Sequence, residues 1–249
     1  MSVLVNIQEE ASVKEESVKG KEINYLENPN EFSGAKYLRE CCMKLNASVV
    51  TMCTAITYYH RFYNNVNFED YDPYLIACTC IYLASKVKND DLKIRDIINV
   101  GYHTIHRNRS PLSLDPYFEL RDSLVESELL LMRMLKFDLH VDLPHKYLLF
   151  YLNTLKDWMG PKMSQDFPIA QISWTLLLDI HQVPVVLKYS PQAIAAAVIF
   201  LTFQIYGIRI PGAKNLGESS WFSYFHPDCK LANILNITSE IIHFYSLDK

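Results

Sequence analysis

The chain has 249 residues, 49% hydrophobic and 21% charged, with seven glycines and a formal net charge of −4. That length and balance fit a folded soluble protein with one large domain or two of roughly 100 residues each, and so few glycines argue against a loop-rich or all-β fold. The negative charge sits in residues 1–32, where Lys14, Lys19 and Lys21 face seven glutamates; beyond them 21 basic residues balance 21 acidic ones, a poor match for a duplex-binding domain.

Residues 1–31 are polar, acidic and weakly periodic, which reads as a disordered arm. Helical spacing begins at Ser33–Lys44, with Tyr37, Leu38, Cys41, Cys42 and Leu45 on one stripe. Asn46 and Ser48 break that pattern and can cap a second helix running to Tyr63. After a polar connection, Asp72-Pro73 opens a helix that is apolar almost all round and ends at Lys86, so it is expected at the centre of a helical domain. Lys93–Tyr102 reads as a shorter helix, His103–Leu114 (with Asn108, Ser110 and Pro111) as a loop, and Asp115-Pro116 as the start of a helix reaching Phe137. A second series follows: His145–Trp158, Phe167–Gln182, a helix opened by Ser190-Pro191 and ending near Gly207, a loop with Pro211, Gly212 and Gly217, a short aromatic piece at Trp221–Phe225, and Leu231–Leu247.

The two series repeat each other. At an offset of 118, DPYLIACTCIYLASKV from Asp72 aligns with SPQAIAAAVIFLTFQI from Ser190, pairing Pro73 with Pro191, Ile76 with Ile194, Ala77 with Ala195, Ile81 with Ile199 and Leu83 with Leu201. Upstream, Thr54 and His60 pair with Thr175 and His181 at an offset of 121. A repeat of this length means two similar folded units. The fold class is all-α: two tandem five-helix repeats, 32–142 and 143–249, behind a flexible arm at 1–31.

Chemistry-bearing motifs are sparse. There is no Gly-rich phosphate loop, no G-x-S-x-G and no H-E-x-x-H. Cys41, Cys42, Cys53, Cys78, Cys80 and Cys229 include no C-x-x-C pair, and several fall on apolar helical faces. They read as buried thiols in a reducing, intracellular compartment, not as disulfides or zinc ligands. His103 and His106 have no acidic ligand beside them, and His60 and His181 read as structural histidines. No apolar run approaches 18 residues, and MSVLVNIQEE lacks the character of a secretory signal. An enzyme, a cofactor, a metal and a membrane anchor are therefore not expected.

Two charges are placed against apolar surroundings. Lys86 ends the central helix, and Glu128 shares a stripe with Leu124, Leu131 and Leu135. They could pair with each other, Glu128 could lie at the surface edge of its stripe, or both could grip another protein at a helix terminus.

The stretches KLNASVVTMCTAITYYHRFY (Lys44–Tyr63), DPYLIACTCIYLASKV (Asp72–Val87) and ESELLLMRMLKFDL (Glu126–Leu139) resemble the cyclin box. Tyr58–Tyr63 is similar to the transcription-type cyclins more than the mitotic ones, and DPYLIA, RDIINV, LRDS and PHKYLL resemble the cyclin Q (cyclin M) branch. The resemblance implies a non-catalytic subunit that binds and activates a cyclin-dependent kinase, expected to be cyclin-dependent kinase ten, as a 1:1 heterodimer in the nucleus or cytoplasm. It implies that Lys86, Val87, Glu128, Met132, Phe137 and Leu139 contact the kinase. Lys88-Asn89 stand where many cyclins carry acidic residues, and Cys42-Met43-Lys44-Leu45 does not match the substrate-docking motif of mitotic cyclins. The rival reading is a cyclin-box transcription or scaffold factor acting without a kinase.

Overall fold

The computed structural model describes residue 25 and residues 30–107, 112–159, 168–208 and 221–247. Among these the regular structure is entirely helical: α1 (Glu31–Lys44), α2 (Val49–Tyr63), α3 (Pro73–Lys88), α4 (Ile94–Ile105), α5 (Leu114–Met134), α6 (His145–Met159), α7 (Ile169–Ile180), α8 (Val185–Lys188), α9 (Pro191–Ile205) and α10 (Leu231–Leu247), with one-turn 3₁₀ pieces at Phe68–Asp70 and Trp221–Tyr224.

Local chemistry sets these boundaries. Asn30 and Ser33 form a reciprocal capping box at α1, with Ser33 N donating to Asn30 Oδ1 at 2.7 Å and Asn30 N to Ser33 Oγ at 2.8 Å. Ser48 Oγ accepts from Thr51 N (3.2 Å) at α2, and Asp72 Oδ1 from Tyr74 N (3.0 Å) at α3, where Pro73 fills the first position. Asn89, at φ 55°, ends α3, with Asp90 N returning to Ser85 O at 2.9 Å. Asparagine tolerates that left-handed conformation better than most residues.

α3 packs against α1, α2, α4 and α5 and forms the axis of one core. Its sequence counterpart α9 packs against α6, α7 and α10 and forms the axis of another. Ala77, Ala84, Ala195, Ala196 and Ala197 are fully buried, so neighbouring backbones approach closely at both axes. Gly101 on α4 has the same role: a Cβ there would lie 2.8 Å from both Cys78 Sγ and the Tyr37 hydroxyl oxygen.

The cores meet along a polar seam. α8 packs on α2, Arg39 Nη1 pairs with Asp179 Oδ1 at 2.7 Å, and His60 Nε2 donates to the carbonyl of His181 at 2.9 Å. The two histidines equivalent in the repeat thus face each other across the molecule's internal boundary. All six cysteines are buried free thiols.

Several boundaries differ from those read in the sequence. α4 continues to Ile105 because Thr104 is buried and Ile105 packs on the core, which makes His103 helical. α5 stops at Met134 because Lys136 and Phe137 are left-handed, at φ 54° and 59°. α8 lies where no helix was expected. Tyr25 is buried against Tyr37 and Tyr74 and donates to Glu40 Oε2 at 2.6 Å, anchoring the chain before α1. The rest of the expected arm before residue 30, and Asn108, Ser110, Pro111, Phe167, Pro211, Gly212 and Gly217, lie outside the described residues. Among those described, no helix is long and apolar enough to cross a membrane.

Candidate functional site

The last turn of α3 sorts its side chains by angle. Ala84 and Ser85 face the core, and the next residue, Lys86, emerges at the surface. On α5, the buried Leu124, Leu131 and Leu135 pin one face, and Glu128 rides on it with a side chain only 12% exposed. The two helices pack together, and the Lys86 ammonium donates to both Glu128 oxygens at 2.8 Å each. It also lies 3.9 Å from the centre of the Tyr82 ring, one turn back on α3. Burial opposes the ammonium's charge, but Glu128 and Tyr82 outweigh it and hold the Lys86 pKa above its ordinary value.

Of the readings left open for these charges, the internal pair is realised in the free chain. Lys86 is still 48% exposed, and a pair of that exposure stabilises a fold by no more than about 1 kcal/mol. Its larger consequence is positional. It fixes an ammonium donor and a carboxylate acceptor at one point of the surface, where a partner's backbone can meet both.

The other expected contact residues fall around this point to different degrees. Val87, Met132 and Leu139 are half-buried and pack on the first core. Leu139 is tied down by its carbonyl, which accepts from the Tyr58 hydroxyl at 2.7 Å. Phe137 is 63% exposed, and its N–H donates to Met132 O at 2.9 Å, closing the turn after α5. A phenylalanine at φ 59° is strained by roughly 1–2 kcal/mol.

The sequence reading omitted two features of this surface. One is Tyr82, whose spacing of four from Lys86 carries the signal for their contact. Phe118, Val125 and Leu129 are exposed and continue through Met132 at helical spacing, a second apolar stripe on α5. Metal-ligating groups gather elsewhere among the described residues, at the seam.

The sequence profile of the family "Cyclin, N-terminal domain" matches residues 5–140. Cyclin-K of Danio rerio is 28% identical over 218 residues, covering 87% of this chain and 49% of that protein. Cyclin-L1 of Homo sapiens is 28% identical over 197 residues (77% and 35%), and Cyclin-T1-4 of Arabidopsis thaliana is 26% identical over 249 (98% and 43%). The chain therefore spans less than half the length of each of these curated relatives. Among solved structures, a chain of the yeast RNA Pol II CTD kinase CTDK-1 complex superposes with a TM-score of 0.67 at 19% identity, covering 86% of this chain and 64% of that one. A chain of the CAK complex of Chaetomium thermophilum gives 0.63 at 19% identity, covering 86% and 62%. These likenesses establish a shared fold, and with a family profile matching more than half of its residues, the chain belongs to the cyclin family.

Proposed function

We propose that the chain is a regulatory, non-catalytic subunit that binds and activates a cyclin-dependent kinase through its first repeat. The observation that carries this reading is the Lys86–Glu128 pair, held at the surface between α3 and α5 and flanked by Val87, Met132, Leu139 and the exposed Phe137. An ammonium and a carboxylate presented together can hold a backbone carbonyl and a backbone N–H at the start of a kinase's mobile helix. Docking there turns that helix inward, so that its glutamate meets the lysine that orients ATP.

The finer reading is a cyclin of the Q branch with cyclin-dependent kinase ten as its 1:1 partner, working inside the cell in the nucleus or cytoplasm. Residues 32–142 form the kinase-binding unit and 143–249 the second unit. The resemblance of DPYLIA, RDIINV, LRDS and PHKYLL supports this assignment, and no cofactor is required. The relatives lend the coarser reading support, as do the similar structures, which are a CTD kinase complex and a CAK complex.

The test is co-purification with kinase identification, followed by phosphorylation assays with Lys86→Glu and Glu128→Lys. Each variant is expected to weaken kinase binding by on the order of 2–5 kcal/mol. Helicity should stay near that of the unmodified chain, and melting should change little for Lys86→Glu, whose position is half exposed, and fall further for Glu128→Lys, whose position is mostly buried. Full kinase activation by both variants would overturn the assigned surface. Salt-dependent DNA binding by the kinase-free chain would favour the scaffold reading instead.

A further inference from the structure

Three potential metal ligands from three different helices converge at the seam. Cys53 lies on α2 of the first repeat, His145 begins α6, and His181 caps the end of α7. One ligand atom from each lies within 4.8 Å of the other two, and all three residues are buried. Cys53 Sγ and His145 Nε2 are 3.9 Å apart. A trigonal three-coordinate ion with bonds of about 2.0–2.3 Å sets its ligands roughly 3.5–3.7 Å apart, close to the Cys53–His145 separation, so loading needs a contraction of about 1 Å at most.

Two ring nitrogens here are buried without a hydrogen-bond partner: His145 Nδ1 and His181 Nε2. His181 Nδ1 donates to Leu177 O at 2.6 Å, which fixes the tautomer and leaves a bare lone pair on Nε2. His60, donating to the His181 backbone carbonyl, steadies this corner from the first repeat. An unpaired buried nitrogen normally costs stability, and a cation held by Cys53 Sγ, His145 Nε2 and His181 Nε2 would satisfy the bare His181 lone pair, with the His145 ring proton on Nδ1.

We propose that Cys53, His145 and His181 form a closed, three-coordinate site for copper(I) that clips the two repeats together. One thiolate and two imidazoles are soft and intermediate donors, and no carboxylate belongs to the set. A monovalent ion with one thiolate makes a neutral unit, whereas zinc(II) would leave a net positive charge in a buried place and lack its usual fourth ligand. On loading, the Cys53 S–H bond breaks, the Cu–S bond forms and one proton leaves to solvent. The copper is supplied already reduced, and no electron moves.

The experiment uses all 249 residues of the chain, reduced and handled without oxygen, titrated with copper(I) against bicinchoninate and, in a parallel arm, with zinc(II) against a chromophoric chelator. One tightly held copper is expected per chain, with one sulfur and two imidazole nitrogens in its X-ray absorption spectrum and a raised melting temperature. Cys53→Ser should weaken binding more than about 100-fold, beyond the 10–100-fold typical of losing an outer-shell partner. Cys229→Ser should leave it unchanged. Spectroscopy on the unmodified chain keeps the test decisive if a seam variant misfolds. Failure to retain one copper, an all-sulfur shell drawn from Cys41, Cys42, Cys78 and Cys80, preference for zinc, or undiminished binding by folded Cys53→Ser would each overturn the proposal.

Discussion

α3 and α9 are the same helix used twice, and they differ where it matters. Both have proline in their first turn, although Asp72 caps α3 by accepting from Tyr74 N while Ser190 makes no such bond at α9; both carry fully buried alanines, and each is the axis around which one core packs. At the C-terminal end they part. α3 places Lys86 beside Tyr82 and over Glu128, whereas the equivalent position on α9 is Gln204, exposed at the surface. The repeated positions are those that must exclude water and let backbones approach. The position that does not repeat is free to serve a partner. On the proposed function, duplication separates architecture from recognition within a single helix.

Overfilling the two axes tests the architectural half and has the largest expected effect. Ala77→Leu and Ala195→Leu each insert three carbons into a site with no exposed surface, and each should cost about 1–3 kcal/mol or more. In thermal melts that corresponds to roughly 2–4 °C per kcal/mol for a chain of this size. Comparable losses at both sites would sharpen the equivalence; a mild effect at one alone would break it.

A smaller effect distinguishes the charge clusters of the two halves. Glu40 accepts from Tyr25 at 2.6 Å, pairs with Lys44 at 2.8 Å and meets Arg107 at 3.1 Å, whereas among the described residues Glu240 has a longer pairing with Lys188 at 3.1 Å and a Tyr189 contact at 3.3 Å. Burial works against the Glu40 carboxylate, but Lys44, Tyr25 and Arg107 outweigh it and hold its pKa below the ordinary 4.5. Its contribution is therefore present above that value and lost as the pH falls through the lowered one. Glu40→Gln should cost about 1 kcal/mol at neutral pH and remove that acid dependence, measured by denaturant unfolding at pH 7 and at successively lower pH. Glu240→Gln should cost less.

The smallest change in stability should accompany the most informative exchange. Lys86→Gln makes the end of α3 resemble that of α9 and should shift stability by less than about 1 kcal/mol, while kinase co-purification falls. Gln204→Lys should leave both unchanged, because the second repeat lacks the matching surface in the proposed complex. Gain of kinase binding through Gln204→Lys would show that the two ends are interchangeable and that Lys86 owes nothing to its setting.

Much of the helical frame was legible in the chain, because caps and apolar periodicity act over a few residues. Asp72-Pro73, Ser48 and Pro191 mark helix starts by backbone chemistry that needs no distant partner. Boundaries set by packing were not: α4 runs on to Ile105 because Thr104 and Ile105 find the core, and α5 ends early in a left-handed turn that puts Phe137 into solvent. Lys86 and Glu128 could be singled out because charge on an apolar stripe is conspicuous, yet their 2.8 Å pairing requires α3 and α5 to be docked.

The sequence by itself determined an all-α chain built from one unit used twice, because periodicity, capping and internal repetition are properties of neighbouring residues. Tertiary structure decided what equivalent residues do. His60 and His181 hold the same place in the repeat, yet one donates through Nε2 to the other's backbone while the other donates through Nδ1 to Leu177 and leaves Nε2 bare beside Cys53 and His145. That asymmetry depends on which surfaces face the seam, and contacts between residues 92 and 121 positions apart leave no local trace in the chain.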